Sequence, residues 1–513
     1  MSGHKVLIDT NVIIELEDHK EVSPIFARFL QLCAQHGVRV FVHERALADI
    51  ERDQNAVRKA VTRSKIKKFE QLTGIKAPPH DELVARFGAM NKDNDVVDVA
   101  LLHALDLGAV DFLVSQDQGI HSRARRKEAG LADRVLVVAD ALQWLETTFE
   151  PLPVRLPLIE EVPAHAISSA DDIFESLRDG YGDFDGWWKT KCIAEHRPCW
   201  IVTINNELAG LIVRKQEDHA QAKTKFCGNK ILKICTFKVK PQFRGEKLGE
   251  LLLKQALWFA QKNQFDLIYV TTFATQGSLI RVLEYFGFEN TKTNERGEFV
   301  YEKPLSRNVL AVAENDDLFD LARKNYPRFV ARPPAEAFCI PIQGQYHDTL
   351  FPELAMPEQP DFFNTAGSVG GARTPGNTIR KVYLCRAKSQ AIGPGSIVLF
   401  YRSNSPGYRI SQSITSVGII ERVSQAGSLE ELVRLTAKRS AYTTEQLSKI
   451  VEASDTPVKV IDFLLMGHFD PAIGLDELLE TKVFRGWPPQ SITRLDEERF
   501  GKVRRRMNFG FAV

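Results

Sequence analysis

No apolar run in this sequence approaches the roughly 20 residues that a membrane-spanning helix needs, so no membrane attachment is expected. Net charge is nearly absent: 67 Lys and Arg stand against 66 Asp and Glu, a formal +1. A global field that draws in nucleic acid is thereby excluded, and any such contact has to come from a local basic patch. Cysteine is scarce, seven in 513 residues, an odd count with no Cys-x-x-Cys pair. A disulfide framework is not expected; reduced thiols in a cytoplasmic protein are. Cys192, His196 and Cys199 lie close in sequence, with Cys227 and Cys235 farther on, but their spacing is that of no common zinc ribbon or finger. A first strand forms within about six residues of Met1, which leaves no room for a signal peptide.

What is present is an ordinary globular composition, 44% apolar and 26% charged. The chain is too long for one core, and three domains are expected, over 1–150, 151–307 and 308–513. Pro151, Pro153, Pro157 and Pro163 mark the first junction, and Pro327, Pro333 and Pro334 lie near the second.

In the first 150 residues, strands alternate with helices, which implies a parallel sheet with helices on both faces. Asp9 closes the apolar strand Val6-Leu7-Ile8, and Asp117 closes Phe112-Leu113-Val114-Ser115-Gln116. Asp49 lies in a helical run, and Asp95 and Asp98 sit one turn apart on a later helix. Acids at the carboxyl ends of parallel strands point into one crevice. Carboxylates gathered there repel one another unless a hard cation sits between them. This stretch resembles a PIN domain, the metal-dependent nuclease fold, on Asp9-Thr10-Asn11, Leu47-Ala48-Asp49-Ile50, Asp95 to Asp98, and Val114-Ser115-Gln116-Asp117. The resemblance implies a parallel α/β/α sandwich that cuts RNA with Mg²⁺ or Mn²⁺. Asp9, Asp95, Asp98 and Asp117 would hold the metal, Asp95 and Asp98 being alternatives for one slot, and Asp49 would stand where the family carries Glu. Arg58, Lys59, Arg63 and Lys65 on an intervening basic helix are expected to contact RNA phosphates.

The second region holds an alternating strand, Ile234 to Val239, then the turn Arg244-Gly245-Glu246-Lys247-Leu248-Gly249 and a long amphipathic helix. Backbone amides at a helix start suit a pyrophosphate. The arrangement is similar to the GNAT acetyltransferase family, whose pattern Arg/Gln-x-x-Gly-x-Gly/Ala is met by Arg244 and Gly249, with Lys247 in the first glycine slot. The strand Leu267 to Thr272 and the run Val282 to Phe288, ending in Gly287-Phe288, add to it. The resemblance implies an α+β fold that binds acetyl-CoA at Val239, Arg244, Gly245, Glu246, Lys247, Leu248 and Gly249. The family's tyrosine acid falls on Leu283 here, with Tyr285 two residues away.

From 308 onward, short strands around Gly393-Pro394-Gly395 and a helical segment near 428–451 suggest a small β-barrel. The run Gly395 to Arg402 and Pro488-Pro489-Gln490 resemble the ASCH/EVE group of PUA-like barrels, which implies RNA contact through Arg380, Lys381 and Arg402. Together the three resemblances imply a multidomain α/β enzyme directed at RNA, tRNA included, that combines endoribonuclease and N-acetyltransferase chemistry. Two alternatives stand beside it. Only the acetyltransferase is active and its neighbours bind RNA or partners; or the protein is regulatory, paired with an antitoxin-like partner, with both sites degenerate.

Overall fold

The computed structural model describes residues 4–15, 24–45, 50–51, 56–127, 129–149, 159–204, 207–243, 247–354, 379–387, 391–404, 410–437, 442, 444–511 and 513. The chain divides into two compact units. Residues 1–152 and 425–458 make the first, and 153–424 with 459–513 the second.

The first unit is built on β1 (Lys5–Ile8), β2 (Arg39–His43), β3 (Glu70–Leu72), β4 (Phe112–Val114) and β5 (Val135–Leu136). They pair in the order β3-β2-β1-β4-β5, every pair parallel. Strands of a parallel sheet are covered on both faces and so read as continuous apolar runs. Val6, Leu7 and Ile8 are accordingly all buried. On one face Leu7, Phe41 and Leu113 pack with Val97, Leu101 and Leu105 of the helix Asp93–Asp106. On the other, Phe112 lies 4.5 Å from the ring of Trp144 in the helix Val138–Phe149. The chain runs from β1 outward to β3, then returns to place β4 on the opposite side of β1. The sheet therefore changes direction between β1 and β4, where open α/β sheets form their crevice.

The helices Leu429–Thr436 and Thr444–Glu452 belong to this unit although more than 250 residues separate them from it in sequence. Ser428 caps the first by accepting the Glu431 amide, and Glu431 in turn accepts the Gly427 amide. Arg434 then reaches Asp111, donating from Nε at 2.7 Å. Asp111 is buried and also accepts the Lys5 amide at 2.8 Å. Burial alone would push its pKa up; bonds from His4 and Lys5 and the charge of Arg434 hold it well below the usual carboxylate range instead. Its stabilisation is thus present above about pH 4 and is lost as pH falls below that. Replacing Arg434 with methionine is expected to cost the first unit about 1–2 kcal/mol in a urea melt at pH 7.

The second unit contains two sheets. β6 (Ile159–Pro163), β7 (Pro198–Ile204), β8 (Glu207–Glu217), β9 (Ile231–Val239), β10 (Leu267–Thr272), β11 (Glu289–Thr293) and β12 (Phe299–Pro304) pair in the order β11-β12-β10-β9-β8-β7-β6. All pairs are antiparallel except β9 with β10. That single parallel pair needs a crossover, which the helix Leu248–Lys262 supplies. The later strands β13 (Ala337–Ile342), β14 (Arg380–Cys385), β15 (Ile397–Arg402), β16 (Ser413–Ala426), β17 (Val458–Gly474) and β18 (Thr493–Leu495) pair as β14-β17-β16-β15-β13-β18. The expected barrel is an open sheet here. Closure requires the two edge strands to exchange hydrogen bonds, and among the described residues β14 and three-residue β18 do not pair.

One continuous apolar core joins the two sheets of this unit: Leu252, Ala256 and Leu257 pack in the same cluster as Ile397, Leu399, Leu464 and Met466. Glu250, Lys254 and Trp258 follow at intervals of four and share one helix face. Glu250 binds Arg380, Lys254 lies 3.8 Å from Glu353, and Trp258 donates to the Tyr326 hydroxyl at 2.8 Å. Gly287, in the Gly-Phe pair, has φ +79, and the Lys324 carbonyl fills the space where a Cβ would stand.

Candidate active site

Pairing between β9 and β10 runs from Leu267↔Ile231 to Val270↔Ile234 and goes no further among the described residues. The cause lies in β9. Against β8, Val213 faces Thr236 while Arg214 faces Ile234, so Cys235 is an extra residue, a β-bulge. A bulge bends its strand, and past it Thr236 to Val239 diverge from Thr271 and Thr272. Backbone N–H and C=O groups on the two facing edges are thereby left for a ligand that carries amides of its own.

Beyond Val239, Lys240 anchors the turn. Its ammonium is 3% exposed and pairs with Asp171 and Glu207, each at 3.1 Å, and with Asp172. Burial would lower its pKa, but the three carboxylates raise it above the ordinary lysine value. The chain continues through Pro241–Phe243 to Lys247, whose φ of +55 is left-handed. That backbone is natural to glycine, which explains why the pattern favours glycine in this slot. The helix then starts at Leu248, and the first amides of a helix have no acceptor within the helix itself. Leu248 is buried and offers only its amide, whereas a Cβ on Gly249 would meet nothing within 4 Å among the described residues. Open helix amides at a positive dipole end, beside the Lys247 charge, fit a diphosphate; the split strands fit the amide-bearing arm of coenzyme A. Arg244, Gly245 and Glu246 lie outside the described residues.

Neither tyrosine-slot residue serves as the acid. Leu283 is fully buried, and the Tyr285 ring is packed beneath the guanidiniums of Arg323 and Arg380, 4.7 and 4.9 Å away. Sequence reasoning missed a different group beside the split. Glu298, in the hairpin between β11 and β12, accepts the Tyr181 hydroxyl at 2.6 Å and Thr271 Oγ1 at 3.4 Å. A hairpin glutamate carries no sequence signal that separates it from a solvated surface charge.

In the first unit, the switch point gathers part of the acidic set. Asp9 Oδ2 accepts Ser115 Oγ at 2.7 Å, and Asn11 donates to that same hydroxyl at 3.4 Å. Burial, opposed by bonds from Ser115 and Thr10 and reinforced by the Asp117 charge, raises the Asp9 pKa to about 6. Burial with the charges of Asp117 and Asp9 raises Asp98 to about 7. Asp117 caps the helix Gln118–Lys127 through Gly119 at 2.5 Å and Ile120 at 3.2 Å. Asp95 stands apart from this group. It accepts the Asn91 and Lys92 amides and pairs with Arg123 at 2.8 Å, so Asp98, not Asp95, faces the crevice. Asp49 lies outside the described residues.

Among the described residues, no three His, Cys, Asp or Glu side chains are gathered to hold a metal ion. The described residues therefore give no support to the Mg²⁺ or Mn²⁺ site expected from the sequence. Their repulsion has its own signature. Because the folded pKa values of Asp9 and Asp98 exceed the ordinary 3.8, the folded state binds protons more tightly, and stability falls as pH rises from about 4 to about 7. Asp98→Asn is expected to flatten that decline and to raise the melting temperature of the first unit at pH 8. A wild-type melt that is flat across this range would count against the account.

The cationic positions fare differently from the sequence expectation. Lys381 is 3% exposed, with its ammonium on the Leu350 carbonyl, and Arg402 is fully buried against Asp348. Arg380 is bound to Glu250. Lys381 and Arg402 are thus engaged within the fold, and Arg380 is occupied by Glu250. On the basic helix Ala56–Ile66, Lys59 and Arg63 both pair with Glu51, and Lys65 is half-buried. The Arg58 side chain lies outside the described set. Cys192 and Cys199 are buried free thiols.

Residues 164–288 match the model of the acetyltransferase (GNAT) family. No curated protein matches the chain. Among solved structures, it is similar to the PaiA N-acetyltransferase from Thermoplasma acidophilum in complex with coenzyme A, with 15% identity, 29% of this chain and 99% of that one covered, and a TM-score of 0.23. A GNAT family acetyltransferase from Elizabethkingia anophelis with acetyl-CoA bound gives 15% identity, 29% and 98% coverage, and a TM-score of 0.21. The IAA acetyltransferase from Bacillus cereus gives 13%, 28% and 96%, and 0.22. Among the described residues no helix is long and apolar enough to cross a membrane. The split strands and the helix start thus both lie within the stretch, residues 164–288, that matches the GNAT acetyltransferase model.

Proposed function

We propose that this protein is an acetyl-CoA-dependent N-acetyltransferase with one catalytic centre, in the 151–307 region. The observation that carries this reading is the bulge at Cys235: it lies where the β9–β10 ladder ends, on the strand that leads on to the helix start at Leu248, within the residues that match the family model. Bound acetyl-CoA would supply an activated acetyl thioester. The amides at Leu248 and Gly249 would receive its diphosphate, and the free edges of Thr236–Val239 and Thr271–Thr272 would pair with its pantetheine amides. Lys240, held by three carboxylates, fixes the angle at which the strand enters the binding turn.

This favours the single-centre alternative over a two-enzyme protein. The PIN-like reading of the first unit is supported by the parallel sheet and by acids at its switch point. Because no metal-holding group of acids is gathered among the described residues, no hydrolytic step is derived from them. Under the same proposal the flanking regions 1–150 and 308–513 are binding modules, RNA being their candidate object. Calorimetric titration with acetyl-CoA tests the core reading, with affinity in the micromolar range expected. No binding would overturn it. Mn²⁺ that raised the melting temperature of wild type but not of Asp98→Asn would restore the nuclease reading.

A further inference from the structure

The β9–β10 split has a floor and a roof that no family pattern marks. Thr271 is the first residue of β10 past the last paired position, Val270. Its hydroxyl lies 3.4 Å from Glu298 Oε1, so the carboxylate stands at the apex of the split. Glu298 is 4% exposed. Oε1 also accepts the Tyr181 hydroxyl, and Oε2 accepts Asn294 Nδ2 at 2.9 Å. Asn294 Oδ1 accepts the Glu298 amide at 3.0 Å and so braces the hairpin from the other side.

The roof is the helix Glu175–Gly180 with Tyr181 behind it. Ser176 accepts the Lys238 ammonium on β9, while Tyr181 packs 5.5 Å from Phe273, just past β10, and bonds Glu298. One short segment thus bridges both arms of the split and brings its phenol onto the carboxylate. Burial, the bond to Glu298 and its negative charge raise the Tyr181 pKa above the ordinary phenol value, so the hydroxyl stays a donor.

An ionised carboxylate has about four lone-pair sites. Tyr181, Thr271 and Asn294 take three of Glu298's. Among the described residues one site of this carboxylate, beside the split, is thus left for a cationic donor. Resting on the N-acetyltransferase reading, we propose that Glu298 is a catalytic residue that receives the acceptor as a protonated primary amine and takes its first proton, with Tyr181 as the positioning residue that aims it.

The step balances. The ammonium gives one proton to Glu298, and the freed nitrogen lone pair attacks the thioester carbonyl carbon. The carbon–sulfur bond breaks, the sulfur leaves with the electron pair, and it takes the second nitrogen-bound proton to become the thiol. Glu298 then returns its proton to solvent. Amine acceptors are preferred over hydroxyl acceptors because only the amine arrives carrying a positive charge.

The test compares two thioethers of equal size, S-aminoethyl-CoA and S-propyl-CoA, by calorimetry. Wild type is expected to bind the ammonium form about 10- to 100-fold more tightly. Glu298→Gln should bind both alike. Tyr181→Phe keeps the carboxylate and should retain a preference. Equal binding of the two by wild type overturns the proposal without any variant, and so does a preference that survives Glu298→Gln. If wild type binds neither compound nor acetyl-CoA, the acetyltransferase reading falls and takes the proposal with it, a result distinct from equal binding of both.

Discussion

Replacing Glu250 with alanine is expected to destabilise the second unit by about 3–5 kcal/mol, the range for removing one partner of a buried ion pair. Glu250 is 4% exposed and sits in the first turn of the helix Leu248–Lys262. Its Oε1 accepts the amides of Ile379 and Arg380 at 2.8 and 2.9 Å. Its Oε2 accepts Arg380 Nε and Nη2 at 3.1 and 2.8 Å. Burial by itself would raise its pKa, yet the charges of Arg380 and Lys247 and the bonds from Arg380 lower it to about 2. Truncation removes the carboxylate from the guanidinium and the acceptor from the amides of Ile379 and Arg380. Urea melts at pH 7 measure the loss, with exposed Glu314→Ala as a control within about 0.5 kcal/mol of wild type. A folded carboxyl with a depressed pKa contributes stability above its unfolded value, near 4.5, and loses it as pH falls toward 2. The gap between wild type and variant should therefore narrow in acid. A loss below about 1 kcal/mol at pH 7 would falsify this account.

The consequence reaches function. Glu250 lies one residue from Gly249, at the helix start proposed to bind the diphosphate. Residues beyond 308 thus hold the helix whose amides would bind the cofactor: Arg380 of the six-stranded sheet through Glu250, and Glu353 and Tyr326, both outside that sheet, through Lys254 and Trp258. The acetyltransferase region separated from 308–513 would expose that face, with two charged side chains that are built to be buried.

Local pattern made some of this legible and distance hid the rest. Val6 to Asp9 and Phe112 to Asp117 read as parallel strands ending in acids because their apolar runs are short and continuous. Lys247 to Gly249 read as a binding turn because helix starts have a residue pattern. Asp95 and Asp98 could not be told apart, since residues one turn apart share a face; Arg123, distant in sequence, decides it by pairing with Asp95. The same holds for Arg402 and Lys381, which resemble surface cations until Asp348 and the Leu350 carbonyl are seen to bury them. The helices at 429–452 were expected between strands, but nothing local shows that Arg434 reaches Asp111. Cys235 is silent as well, because a bulge is a mismatch between two strands and belongs to neither sequence alone.

Gly249→Asp should abolish most cofactor binding while leaving the fold intact, a separation that few substitutions at a binding site allow. Gly249 is the second residue of its helix, and a Cβ there meets no atom of the described residues within 4 Å. Aspartate is a better helix residue than glycine, and an acid in the first turn is favoured by the helix dipole, so stability should hold or rise by about 0.5 kcal/mol. The same carboxylate would stand where the diphosphate is proposed to bind. Two like charges about 5 Å apart repel by roughly 1 kcal/mol in water and 3 kcal/mol near a protein surface, an affinity loss of about 5- to 150-fold. Gly249→Ala adds bulk without charge in a slot where the family pattern accepts alanine, and should bind acetyl-CoA nearly as wild type does. The aspartate penalty should shrink at high salt, since the repulsion is partly solvent-screened, whereas a steric block would not respond. Calorimetry on the three proteins at two ionic strengths separates these causes. Wild-type affinity in Gly249→Asp would mean that this helix start does not receive the diphosphate, even if acetyl-CoA still binds elsewhere along the split.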